Sequence, residues 1–220
     1  MIVLALDTAL NACSAALVED GRVLASQIEP MVRGHQERLA LMVQEVMAQA
    51  GLPFAALDRV AVTVGPGSFT GLRVGMAFAK GLALALDRPC IGIGSLQALA
   101  ASVPSEGLVA AVIDGRRGQL YLQAFIDGHP VMAPDALSAE VAAARLGELW
   151  QGGPVTLVGP GVSALAGIFA QAVMMERTAA DPVAIAQQAS IAPIVPPKPL
   201  YLRAPDAKLP GGITPPDLDL

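Results

Sequence analysis

The sequence has two histidines and two cysteines in 220 residues. His35 and His129 are far apart, and neither has a second histidine three to five positions away, so H-E-x-x-H and related metal-ligand spacings are missing. Cys13 and Cys90 sit in apolar runs, which reads as two buried thiols in a reducing compartment rather than a disulfide framework. Charge is scarce as well, at 15% of residues with a net charge of −5. An acidic chain lacks the clustered Lys and Arg that neutralise phosphates, which argues against a stand-alone nucleic-acid binder. No Gly-Lys-Ser/Thr closes a Walker loop and no G-x-S-x-G marks a nucleophile elbow, so Ser68 has no evident triad around it. No basic-then-apolar signal segment opens the sequence, because Asp7 comes too early. The Ala-rich run Met76–Leu86 is interrupted by Lys80 and Gly81 and reads as too short for a bilayer span. A cytoplasmic protein with no membrane contact is expected.

What is present is apolar surface, 54% of residues, enough to build one large domain or two small lobes. The chain also says nearly the same thing twice. Leu4-Ala5-Leu6-Asp7 is followed by the apolar run Cys13–Val18 and by Asp20-Gly21. Ala111-Val112-Ile113-Asp114 is followed by Leu120–Ile126 and by Asp127-Gly128, at a constant offset. A second echo follows each copy, Val62-Thr63-Val64-Gly65-Pro66-Gly67 and Thr156-Leu157-Val158-Gly159-Pro160-Gly161. Two echoes in the same order predict duplicated lobes facing each other across a cleft.

Periodicity predicts strands at 2–7, 13–18, 22–28, 59–64 and 89–93 in the first copy. Helices are predicted at 35–50, 69–86 and 95–101, the first from the spacing of Leu39, Met42, Val43, Val46 and Met47 before Gly51. The second copy predicts strands near 108–113, 119–126, 130–132 and 155–158 and helices near 138–150 and 163–174. Asp181-Pro182 opens a short helix through Ala189. Domain boundaries follow: residues 1–103, a shorter lobe 104–191, and a Pro-rich extended tail 192–220. Each half reads β-β-β-α-β-α, an α/β fold with mixed sheets. Duplicated, this order resembles the actin-like ATPase superfamily, the ASKHA or ribonuclease H-like group that includes sugar kinases and the Hsp70 ATPase domain.

The most specific stretch runs from Gly65 through Pro66, Gly67, Ser68, Phe69, Thr70, Gly71, Leu72 and Arg73 to Gly75. Between a strand and a helix it can hold an anion on backbone N–H groups, or it can be a tight turn with Ser68 or Thr70 as cap. Within the helix, Gly71, Gly75 and Ala79 form a small-residue ridge that would admit another helix. Leu72, Met76, Phe78 and Leu82 leave apolar surface beside it, so this helix is either buried in its own lobe or also meets a partner. Asp7 and Asp114 end the first strand of each copy. In an actin-like fold they would face phosphates and a metal across the cleft; the simpler role is bonding to N–H groups of their own turns. The first turn, Asp7-Thr8-Ala9-Leu10-Asn11-Ala12, lacks glycine, which argues that tight ATP binding is lost or weakened. His35, beside Glu37, reads as a helix-terminal hydrogen-bonding group before a catalytic one.

These residues together resemble the TsaB (YeaZ) family over nearly the whole chain. The marks are Leu4-Ala5-Leu6-Asp7-Thr8, His35 opening a helix, the 65–73 motif followed by Gly75, Asp114-Gly115-Arg116-Arg117 with Tyr121, and Tyr201-Leu202-Arg203. The resemblance implies a non-catalytic relative of the enzyme TsaD, without metal and without a cofactor beyond a weak or interface-dependent Mg-ATP site. It implies a role in threonylcarbamoylation of the adenosine 3′ of the anticodon in tRNAs reading A-starting codons. It implies pairing with TsaD through the helices at 35–50 and 69–86, here through His35, Leu39, Met42, Val46, Phe69, Gly71, Leu72, Gly75, Met76, Ala79 and Leu82. A TsaE-type ATPase would join, tRNA would be met only through the complex, and the chain alone would form a homodimer. The competing expectations are a small-molecule kinase or ATPase using Asp7 and Asp114, and, more remotely, a peptidase. The long tail past Tyr201 departs from the family pattern.

Overall fold

The computed structural model describes residues 1–104, 106–169 and 171–203. The predicted tail beyond Arg203 lies outside the described residues. Strands β1 (Ile2–Asp7), β2 (Ala12–Glu19) and β3 (Arg22–Pro30) form an antiparallel meander. Helix α1 (His35–Ala50), β4 (Arg59–Thr63), α2 (Phe69–Leu86), β5 (Cys90–Ile93) and α3 (Ser95–Ala101) complete the first half. β4 and β5 add in parallel, giving the order β3-β2-β1-β4-β5.

The second half repeats this plan. β6 (Leu108–Arg116) and β7 (Gln119–Ile126) are antiparallel, with β8 (His129–Pro130) and β9 (Asp135–Ser138) on the outer side of β7. After α4 (Ala139–Leu149), β10 (Val155–Val158) and β11 (Val173–Met175) add in parallel on the other side of β6. The duplication extends to backbone angles. Asp20 and Gly21 have φ of 46° and 83°, matched by 49° and 79° at Asp127 and Gly128 in the other copy. Both pairs supply the two left-handed residues of a tight hairpin.

The layers follow from strand alternation. Leu4, Leu6, Cys13 and Leu17 point to one face of the first sheet and pack under Leu39, Met42, Val46, Met76 and Ala79 of α1 and α2. Val3, Ala5 and Val18 point to the other face. There α3 and the last helix, α5 (Pro182–Ile191), lie between the two sheets, with Leu96, Leu99, Ile185 and Ala189 meeting Val109, Ala111 and Ile113. α4 covers the far face of the second sheet through Ala142 and Leu146. Residues 182–191, assigned by sequence to the second lobe, therefore pack mainly on β1, β2 and β4 of the first. Arg59 fixes this arrangement by donating to the carbonyls of Ala189 and Ala192 at 2.8 and 3.0 Å.

One element differs from expectation. The helix predicted near 163–174 is a short 3-10 turn, Val162–Leu165, followed by β11; Gly167, at φ 83°, ends any helical run there. α2 spans 18 residues and, among the described residues, is the one helix long and apolar enough, by length and composition, to cross a bilayer. Its inner side is packed on the sheet.

Candidate functional site

A cleft of about 730 Å³ opens between the lobes. Ala9–Asn11 and Pro66–Thr70 line it from the first lobe, Ile113–Arg116, Tyr121 and Pro160 from the second, and Leu200–Arg203 from the chain's last described segment. The two loops named by the sequence echo thus meet across it.

The first-lobe wall is filled by its own chain. A Cβ on Gly67 would stand 2.5 Å from the carbonyl oxygen of Ala9, so only glycine lets the loop approach the first turn. The Ser68 N–H donates to that carbonyl at 2.7 Å, and the Gly71 N–H donates to Ser68 Oγ at 3.3 Å. Two of the donors that an anion would use at the start of α2 are therefore committed, which favours the tight-turn reading of the 65–73 motif. Thr8, 1% exposed, is not on the cleft wall; its hydroxyl donates to the carbonyl of Gly71 at 2.7 Å.

Asp7 and Asp114 share one local geometry and differ in setting. Asp7 Oδ1 accepts the Ala9 N–H at 2.8 Å, and Asp114 Oδ1 accepts the Arg116 N–H at 2.8 Å, the turn-bonding role in both copies. Asp114 lines the cleft, whereas Asp7 is 1% exposed and lies beneath it. The expectation that both carboxylates face the cleft is corrected for Asp7. It also accepts from Thr63 Oγ1 at 2.5 Å, a partner not read from the sequence although Thr63 ends the neighbouring strand. Burial raises the Asp7 pKa above its ordinary value, against the lowering effects of Thr63, the Ala9 and Thr8 amides and nearby His35. His35 Nε2 is itself buried without a hydrogen-bond partner, as are Ser14 Oγ and Ser95 Oγ. Among the described residues no group of three or more His, Cys, Asp or Glu could hold a metal.

The predicted partner residues divide by burial. Leu39, Met42, Val46, Leu72, Met76 and Ala79 are all core, and Gly71 and Gly75 face Thr8. The small-residue ridge thus serves the chain's own packing, not access by another helix. His35 and Leu82 are half-buried and Phe69 is 39% exposed, with the Arg73 guanidinium 3.7 Å above its ring. The exposed side of the helix pair carries residues the sequence pattern did not single out: Leu41 at 55% exposure on α1, and Ala77, Gly81, Leu84 and Ala85 on α2, with Leu84 at 84%. Period-four small residues occur on both faces of α2, so spacing alone could not say which face was outside.

Comparison with known proteins agrees with this architecture. The family model "TsaD: tRNA N6-adenosine threonylcarbamoyltransferase" matches residues 22–195. Escherichia coli TsaB is 40% identical over 124 residues, and YeaZ from Pseudomonas aeruginosa superposes with a TM-score of 0.76 at 29% identity over 91% of this chain and 99% of that one. The chain belongs to the TsaB (YeaZ) family. The E. coli alignment covers 55% of this chain and 53% of that protein, so the chain spans about half the length of the curated TsaB proteins it matches. A ROK hexokinase from Thermus thermophilus, 15% identical with a TM-score of 0.52 over 87% of this chain and 99% of its own, shares the overall fold.

Proposed function

We propose that this chain is a non-catalytic subunit in tRNA threonylcarbamoyladenosine biosynthesis, pairing with a TsaD-type transferase through the outward sides of α1 and α2. The observation that carries the reading is the exposed apolar side of that pair, above all Leu84. Full burial of a leucine is worth roughly 1.5–3 kcal/mol, which Leu84 forgoes in the isolated chain and a partner would recover. Arg73, Ala77, Gly81 and Leu41 extend the surface, and the small side chains allow close helix approach. A TsaE-type ATPase would join the pair, and tRNA would be met through the complex. Without a partner, the same surface would pair two copies. The filled first turn and the buried Asp7 support a scaffold over a kinase or ATPase, since a phosphate at the 65–70 loop would have to displace the Ala9 carbonyl. Nothing around Ser68 supports a peptidase, because its hydroxyl serves as helix cap.

The test is co-purification with the TsaD-type protein of the same cell, followed by a tRNA modification assay. The assay supplies TsaE, ATP and threonylcarbamoyl-adenylate, with and without this chain. Modification that depends on the chain, together with no micromolar Mg-ATP binding by the chain alone, supports the scaffold. Full modification in its absence, or Mg-ATP binding lost in Asp7→Ala, overturns it.

A further inference from the structure

After α5 the chain does not leave the fold. Pro197 is buried against Gly92, where an added Cβ would stand 3.1 Å from the proline Cβ. The Leu200 N–H then donates to the Val64 carbonyl at 2.7 Å. The Leu200 carbonyl lies over Gly65, where a Cβ would stand 2.6 Å away and where φ is 111°. Tyr201 next packs at a tilt against Phe69, with ring centroids 5.3 Å apart and planes at 41°, and Phe69 carries Arg73 on its ring. Finally Arg203 crosses the cleft and donates from Nη1 to the Gly115 carbonyl at 3.5 Å, in the second lobe's turn. Gly65 thus has a second reason to be glycine, and it lies outside the first turn.

We infer that residues 197–203 form a latch that holds the two lobes together across the mouth of the cleft, with Tyr201 on Phe69 as its catch. On the first lobe it is held by a backbone hydrogen bond and an aromatic contact, and on the second it reaches the Gly115 carbonyl through Arg203. A latch so divided opens by losing the Tyr201–Phe69 contact, and opening frees both cleft loops together. Phe69 and Arg73 begin α2, so the catch also sets the first turn of that helix. The latch itself does not depend on what the chain binds.

The test uses the full chain without partners, read by hydrogen exchange resolved to peptides. An aromatic contact of this kind holds the closed form by a factor of about two to ten. Tyr201→Ala is therefore expected to speed exchange about two- to tenfold both at 65–73 and at 114–121, while α4, on the far side of the second sheet, keeps its rate. Tyr201→Phe should restore the native rates at both loops. Arg203→Ala should speed exchange at 114–121. If Tyr201→Ala speeds exchange only within 196–203, the segment is a passenger and the latch is overturned. Unchanged exchange at both loops overturns it equally. These outcomes are independent of any TsaD-type partner, so they separate the latch from the scaffold reading.

Discussion

Thr8 donates its hydroxyl to the carbonyl of Gly71 at 2.7 Å, and Gly75, one turn along α2, faces the same side chain. A Cβ at Gly71 would stand 2.0 Å from the Thr8 carbonyl, and one at Gly75 2.5 Å from Thr8 Oγ1. The first clash is with backbone and cannot be relieved by a rotamer change. Overpacking of this kind costs about 1–3 kcal/mol and sometimes more, so Gly71→Ala and Gly75→Leu should both lower stability by at least that range. Urea unfolding midpoints of the purified variants check it. A Gly75→Leu chain as stable as the parent would mean that α2 does not sit on β1 as described.

That geometry also shows what the sequence could and could not convey. The helices at 35–50 and 69–86 and the strand at 119–126 have the predicted bounds, because strong periodicity and clear caps (Gly51, Ser68) leave little choice. The failures have local causes. Residues 163–174 carry enough apolar side chains for a helix, but Gly167 breaks the run and the sheet edge at β10 captures 173–175 instead. The inward side of α2 is not legible in the spacing, because Gly71, Gly75 and Ala79 repeat at the same interval as Ala77, Gly81 and Ala85. Which stripe is inside is decided by Thr8, more than sixty positions away in sequence. The latch was invisible for the same reason: proline density predicts an extended chain but not where it lies.

Gly81→Leu makes the matched comparison with Gly75→Leu. Nothing lies within 4 Å of a Cβ at Gly81, on the exposed side of the same helix. Replacing a mid-helix glycine there should hold or raise monomer stability, by up to about 1 kcal/mol. Under the proposed function it should also block close approach and weaken pairing with a TsaD-type protein by at least about tenfold, as should Leu84→Glu. Titration calorimetry of pairing beside urea unfolding of each monomer separates the two effects. Tight pairing by both variants would move the interface elsewhere.

The thiols offer a check on burial in solution. Cys13 is fully buried and Cys90 half-buried, and burial pushes both thiols up to about 11. At mildly alkaline pH each is almost wholly in the unreactive thiol form. Alkylation of the native chain should be slow at Cys90 and slower at Cys13, and both should react fully in denaturant. Peptide mapping after timed iodoacetamide treatment reads the two sites apart; fast native labelling of Cys13 would contradict the packing of β2 under α1.

Asp7 gives a pH signature. Its ordinary value is 3.8, and burial raises it in the folded chain. A carboxyl with a raised folded pKa binds its proton more tightly in the native state than in the unfolded one. Its contribution to stability is fully present below the unfolded value and is lost as pH rises through the folded value. Asn at this position still accepts from Ala9 and Thr63 but has no proton to lose. The stability of Asp7→Asn relative to the parent should therefore grow as pH rises from about 4 and level off above the folded pKa. Urea midpoints of the two proteins, measured side by side from about pH 4 to 8, follow the difference directly. A difference that shrinks with rising pH would mean that hydrogen bonds from Thr63 and the turn amides outweigh burial, and that Asp7 is held as a carboxylate.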